Sequence, residues 1–141
     1  MAAQPPLGFG LLDCTHLPFN HLTGPIYIKE GDSTPRFGMF ILPQHSDAEG
    51  FAERGVLATL ADMVAGRSLV IASNFTLGCF TISLNLEFLA PVPQGGWIET
   101  TAKLYGQQGN VAFVACDISY DGNVVMQANG KFKQFPHADL R

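Results

Sequence analysis

The chain has 141 residues, of which 47% are hydrophobic and only 14% charged, with a formal net charge of −4. That length suits one domain, residues 1–141, with a sizeable core, and the charge content falls below the roughly 25% of an ordinary soluble domain. Either much of the surface meets another subunit, or the exterior is built from Ser, Thr, Asn and Gln. The Lys and Arg residues form no cluster, which speaks against nucleic acid, and no uninterrupted apolar run approaches a membrane span.

Residues 1–24, rich in Pro, Gly and His, read as a loose N-terminal segment with at most a helical turn near Leu11 or Phe19. Its start, "MAAQPPLGFG", lacks the basic-then-apolar layout of a signal peptide. "PIYIKE" reads as a strand ended by the turn signal "GDSTP", and "RFGMFILP" as a second strand stopped by Pro43. "QHSDAEGFAE" is a polar loop. Residues 54–73 read as one long helix, apolar on most sides, as a core helix is, and closed by "NFTLG". In "TISLNLEFLAP", Ile82, Leu84, Leu86 and Phe88 alternate with Thr81, Ser83, Asn85 and Glu87, the period of a half-buried strand. "WIETTAKLY", "VAFVACDISY" and "VVMQANGKF" follow, the last two flanking the hairpin signal "DGN". Two strands, a long helix and four strands predict an α+β hotdog fold, an antiparallel sheet wrapped around one helix and running as a meander after it; another α+β sandwich is the alternative.

Cys14, Cys79 and Cys116 form neither a CxxC nor a zinc spacing, so no disulfide framework and no metal is expected, and free thiols fit a reducing cytoplasm. His16, His21 and His137 are scattered, and no Ser lies in a nucleophile elbow. The conspicuous residue is Asp62, a carboxylate in the apolar helix, where an unpaired charge is costly. Residues three, four and seven away share its face, and these are small: Gly55, Ala58, Thr59, Ala65 and Gly66. Either they let another element pack closely while Asp62 caps or pairs, or they leave room for substrate or water. The helix start near Glu53, Arg54 and Gly55 offers free N–H groups that can hold an anion or oxyanion. Gly55 lies seven residues before Asp62, roughly 10 Å along a helix, so one helix cannot aim both at one carbonyl. Two antiparallel helices across a twofold axis can, which predicts a homodimer with shared sites.

The segments "HSDAEGFAERGVLATLADMVAGRSL", "TISLNLEFLAP", "WIETTAKLY" and "YDGNVVMQANGKF" resemble the PaaI-like hotdog thioesterases, from about Phe19 onward. The resemblance implies hydrolysis of acyl-CoA thioesters without metal or other cofactor, by a homodimer or a dimer of dimers. The pattern in that family is Asn, Gly, His-Gly-Gly, then a helical Asp nine residues after the His. Gly50, Gly55 and Asp62 match it. Asp62 thereby takes the role of base or nucleophile, Thr81 that of the hydroxyl that positions water, and the oxyanion-binding N–H comes from the other subunit. Asp47 stands in place of the Asn, Glu53 of the His and Arg54 of the first Gly. Asp47 so joins Asp62 and Thr81 in the expected catalytic group, and Glu53, Arg54, Gly55 and His45 form the expected substrate-binding group. Arg54 either pairs outward with Glu53 or Asp47, or points inward toward an acidic substrate. Arg36, Lys103, Lys131 and Lys133 are candidates for coenzyme A phosphates or plain solvated cations. A non-catalytic hotdog protein that binds an acyl ligand is the alternative function. A hydratase of the same fold is a third, less supported because its helix would carry a His.

Overall fold

The computed structural model describes residues 3–31 and 34–137; the predicted turn at 31–35 lies partly outside them. In chain order the elements are β1 (Gly10–Leu11), α1 (Pro18–Thr23), β2 (Tyr27–Lys29), β3 (Arg36–Phe40), a 3₁₀ turn (Pro43–His45), α2 (Arg54–Ala72), β4 (Leu77–Phe88), β5 (Trp97–Gln108), β6 (Val111–Tyr120) and β7 (Asn123–Pro136). The strands form one antiparallel sheet in the order β1-β2-β3-β5-β6-β7-β4. Helix α2 packs on it. This is the hotdog arrangement, α+β in class.

Two expectations are corrected. The N-terminal segment is not loose throughout: β1 pairs with β2, and Cys14 is buried in the core with Leu12 and Leu17 packed against it. The four strands after the helix are not one meander. β5, β6 and β7 are, but β4 lies beyond β7 at the sheet edge. A 19-residue helix is about 28 Å long, enough to carry the chain across the sheet from β3 to that far edge.

Helix α2 buries Leu57, Leu60, Ala61, Val64, Ala65 and Leu69, the i, i+3, i+4, i+7 spacing of one face. Burying a side chain such as Leu60 or Val64 is worth about 1.5–3 kcal/mol. They meet the inward residues of the sheet, among them Phe37, Ile98, Val114 and Phe132. The other side of α2, with Val56, Thr59, Met63 and Val70, is half-buried in the single chain. The expected all-round burial is therefore not what one subunit provides. Averaged over a window, α2 also reaches the length and hydropathy of a membrane span, although no uninterrupted apolar run does.

Two glycines are dictated by geometry. At Gly38 the Trp97 ring occupies the place of a Cβ, which lets Trp97 pack between Tyr27, Phe40 and Phe9 on the outer sheet face. In the β6–β7 hairpin, Asp121 (φ 51°) and Gly122 (φ 79°) are both left-handed, as a tight type I′ turn requires.

Candidate functional site

Asp62 lies on the third turn of α2 and is half-buried, not enclosed. Its Oδ1 accepts a hydrogen bond from the Thr81 hydroxyl at 2.5 Å. Among the described residues its other oxygen has no partner. The small neighbours divide between the two expected roles. Gly66 lets β4 approach, and the Cys79 thiol donates to the Gly66 carbonyl at 3.6 Å. The Thr59 hydroxyl donates back to the Gly55 carbonyl at 2.9 Å, leaving the surface beside Asp62 free of bulk.

Thr81 reaches Asp62 because β4 is bulged. Thr81 pairs with Phe132 and Ser83 with Lys131, so Ile82 is one residue too many. A bulge of this kind changes which way the following side chains point. Cys79 and Thr81 face the helix on one side of it, opposite buried Gln134 and Phe132. Leu84, Leu86 and Phe88 face the helix on the other, opposite Gly130, Ala128 and Met126. Strict alternation grouped Thr81 with Ser83, Asn85 and Glu87 on the polar face. The bulge overturns that grouping and leaves Ile82 50% exposed.

The loop into α2 is held by two residues. His45 is buried, and its Nδ1 accepts the Leu42 N–H at 3.0 Å. That acceptor role places the ring proton on Nε2, which is buried and without a partner among the described residues. The His45 carbonyl accepts the Glu53 N–H at 2.8 Å. Asp47 accepts the N–H groups of Glu49 and Phe51 at 2.9 and 3.0 Å. The Phe51 N–H above all, then those of Glu49 and Gly50 and the charge of Arg54, hold the Asp47 carboxyl below its ordinary value, while desolvation acts the other way. Asp47 thus orders the loop, and its hydrogen bonds go to backbone rather than to Asp62. Burial first, then the nearby Asp62 charge, pushes the Cys79 thiol up. The sequence shows Cys79 as one of three free cysteines but not its place beside Asp62, although it stands two residues before Thr81 on the same strand.

Glu53 is the N-cap of α2 by backbone, with no side-chain capping bond. The N–H groups of Arg54 and Gly55 begin the helix and have no acceptor among the described residues. Arg54 also lines a groove of about 440 Å³, together with Asp47, Phe51, Leu57, Phe88 and Pro91 among others. Asp62 is not in its lining, in keeping with the seven-residue separation. A larger depression, about 650 Å³, lies on the outer sheet face around Arg36, Glu99, Asp117 and Asp121. There Arg36 pairs with Glu99 at 3.7 Å. Lys103, Lys131 and Lys133 also stand on that outer face, with the sheet between them and Asp62. His16, His21 and His137 are exposed and apart from this site.

Residues 50–126, more than half of the chain, match the family model described as the thioesterase superfamily. An inferred esterase of Caenorhabditis elegans is 28% identical over 114 residues, covering 80% of this chain and 67% of that protein. An inferred thioesterase related to phenylacetic acid degradation, from Ralstonia eutropha JMP134, is 25% identical with a TM-score of 0.68, covering 75% of this chain and 82% of that one. A thioesterase-type protein of Streptococcus pneumoniae TIGR4, solved with coenzyme A, superposes with a TM-score of 0.71 at 18% identity, covering 79% of this chain and 89% of that one.

Proposed function

Since the chain belongs to the thioesterase superfamily, with PaaI-like hotdog thioesterases among its structural relatives, we propose that it hydrolyses acyl-CoA thioesters to a free acid and coenzyme A. Membership supports thioester hydrolysis in general. The acyl-CoA substrate and the residue roles are our reading. The observation that carries it is the Asp62–Thr81 hydrogen bond, a carboxylate oriented by a hydroxyl with its second oxygen unpartnered.

In this reading the thioester carbonyl oxygen lies against the Arg54 and Gly55 N–H groups, where the helix terminus stabilises the negative charge that develops. Asp62 takes a proton from water as it attacks the carbonyl carbon, or attacks that carbon itself to give an anhydride that water then opens. The tetrahedral oxyanion collapses, the C–S bond breaks, and the thiolate leaves and is protonated. Thr81 fixes the orientation of the carboxylate along either route. The groove and Asp62 are too far apart on one helix, so Asp62 serves the groove of a second copy. The edge of β4 that has no partner among the described residues and the half-buried side of α2 suit that homodimer. The coenzyme A bound to the streptococcal relative fits a ligand of this class.

The test is Asp62→Asn. The variant is expected to stay folded, by circular dichroism, and to release free thiol from a panel of acyl-CoAs about a hundredfold more slowly or worse. Unchanged turnover would sink the assignment. Binding of acyl-CoA without thiol release by the unaltered chain would favour the non-catalytic reading.

A further inference from the structure

We propose that the Arg54 side chain holds an anionic oxygen group of the substrate, either a carboxylate on the acyl chain or a phosphate of coenzyme A. The inference rests on the thioesterase reading above and concerns the groove at the start of α2. Arg54 is the first residue of that helix, whose first turn carries no acidic residue. A cation there lies at the positive end of the helix dipole, which disfavours it. Partnership within the chain does not compensate: among the described residues Arg36–Glu99 is the ion pair, and Arg54 has no carboxylate within bonding reach. Asp47 feels the charge of Arg54, but its Oδ1 already takes the N–H groups of Glu49 and Phe51. The expected outward pairing with Glu53 or Asp47 is therefore not formed.

Arg54 is exposed, and it lines the groove at the start of α2. Its walls are apolar, with Phe51, Leu57, Phe88 and Val92, and its polar lining is Arg54 with Asp47 and Glu49. Apolar walls suit an acyl chain, while a planar guanidinium fork at the rim matches the paired oxygens of a carboxylate or phosphate. The two acids make the rim negative overall, so a diffuse field would repel an anion. Only direct pairing with Arg54 gives the site a preference, and its loss is read most clearly in a ratio of substrates.

The experiment compares the unaltered protein with Arg54→Gln on four thioesters: a neutral acyl group and a dicarboxylic acyl group of equal length, each on coenzyme A and on N-acetylcysteamine, which has no phosphate. If the acyl carboxylate is the ligand, the ratio of kcat/KM for dicarboxylic over neutral substrate falls about tenfold or more on both carriers. If a phosphate is the ligand, the ratio for coenzyme A over N-acetylcysteamine falls by that amount with both acyl groups. Either result supports the inference and identifies the source. Changes below tenfold in both ratios overturn it. If the unaltered protein cleaves none of the four, the thioesterase reading fails instead; the inference is then judged by the same two ratios of binding affinity, measured calorimetrically.

Discussion

The carboxylate of Asp47 is tied to the N–H groups of Glu49 and Phe51, and that bond has a pH signature. A carboxyl whose folded value is depressed contributes stability above its unfolded value, and the contribution is lost as pH falls toward the folded one. For Asp47 the ordinary value is 3.8. Asp47→Ala is therefore expected to lower Tm near neutral pH, with the deficit shrinking once pH drops below about 4. Thermal melts across that range check it, and a deficit independent of pH would show that the ionised form has no special part. The resemblance placed Asp47 beside Asp62, yet "DAEG" already carried the other signal. An Asp three residues before a glycine commonly accepts local N–H groups in a turn, and Gly50 is left-handed at φ 86°. Asp62 was easier to single out, because it is the one carboxylate in an otherwise apolar helix.

In strand β4 the bulge at Ile82 keeps Thr81 on the same face as Leu84, Leu86 and Phe88. Because Ile82 is the unpaired residue, deleting it leaves Thr81 opposite Phe132 and Ser83 opposite Lys131, and restores regular alternation with both faces kept. Deletion of Ile82 is therefore expected to leave a folded protein whose thiol release stays close to that of the unaltered chain. A large loss of thiol release with retained circular dichroism would show that the bulge itself, and not only the face of Thr81, is needed at the site. The helix and the strands were legible because their periods differ and hold over many residues. The bulge was not, since one inserted residue leaves an alternating pattern on either side of it. Nor was the partner of β4, because a strand's own period says nothing about which strand lies beside it.

Across the whole molecule, low charge content and the open edge point the same way. Strand β4 has no neighbour on its outer side among the described residues, and Phe80 lies 52% exposed along it. Long unpaired edges are usually blunted or covered. Sedimentation at about micromolar concentration is expected to show a dimer, with a Tm that rises with protein concentration as mass action requires. A monomer under those conditions would remove the shared site. The layered architecture could be read from element order alone, whereas the reach from groove to Asp62 needed only the helical rise. What the chain order concealed was the edge, because the crossover helix delivers β4 to the side opposite β3.

That same edge position gives the site a place in time. Among the described residues strand β4 is paired only with β7, which follows it in the chain after β5 and β6, and Thr81 takes its register from Phe132. While the chain is being synthesised, α2 and β4 exist long before the strand that fixes them. The β5–β6–β7 meander can close through local hairpins, but β4 must await a distant partner, the kind of contact that forms late and slowly. The hydrogen bond that orients Asp62 therefore belongs among the final events of folding. A chain cut short within β7 would lose part of the strand that joins β4 to the rest of the sheet, and with it the constraint on Thr81, so catalytic competence would report that β7 has arrived.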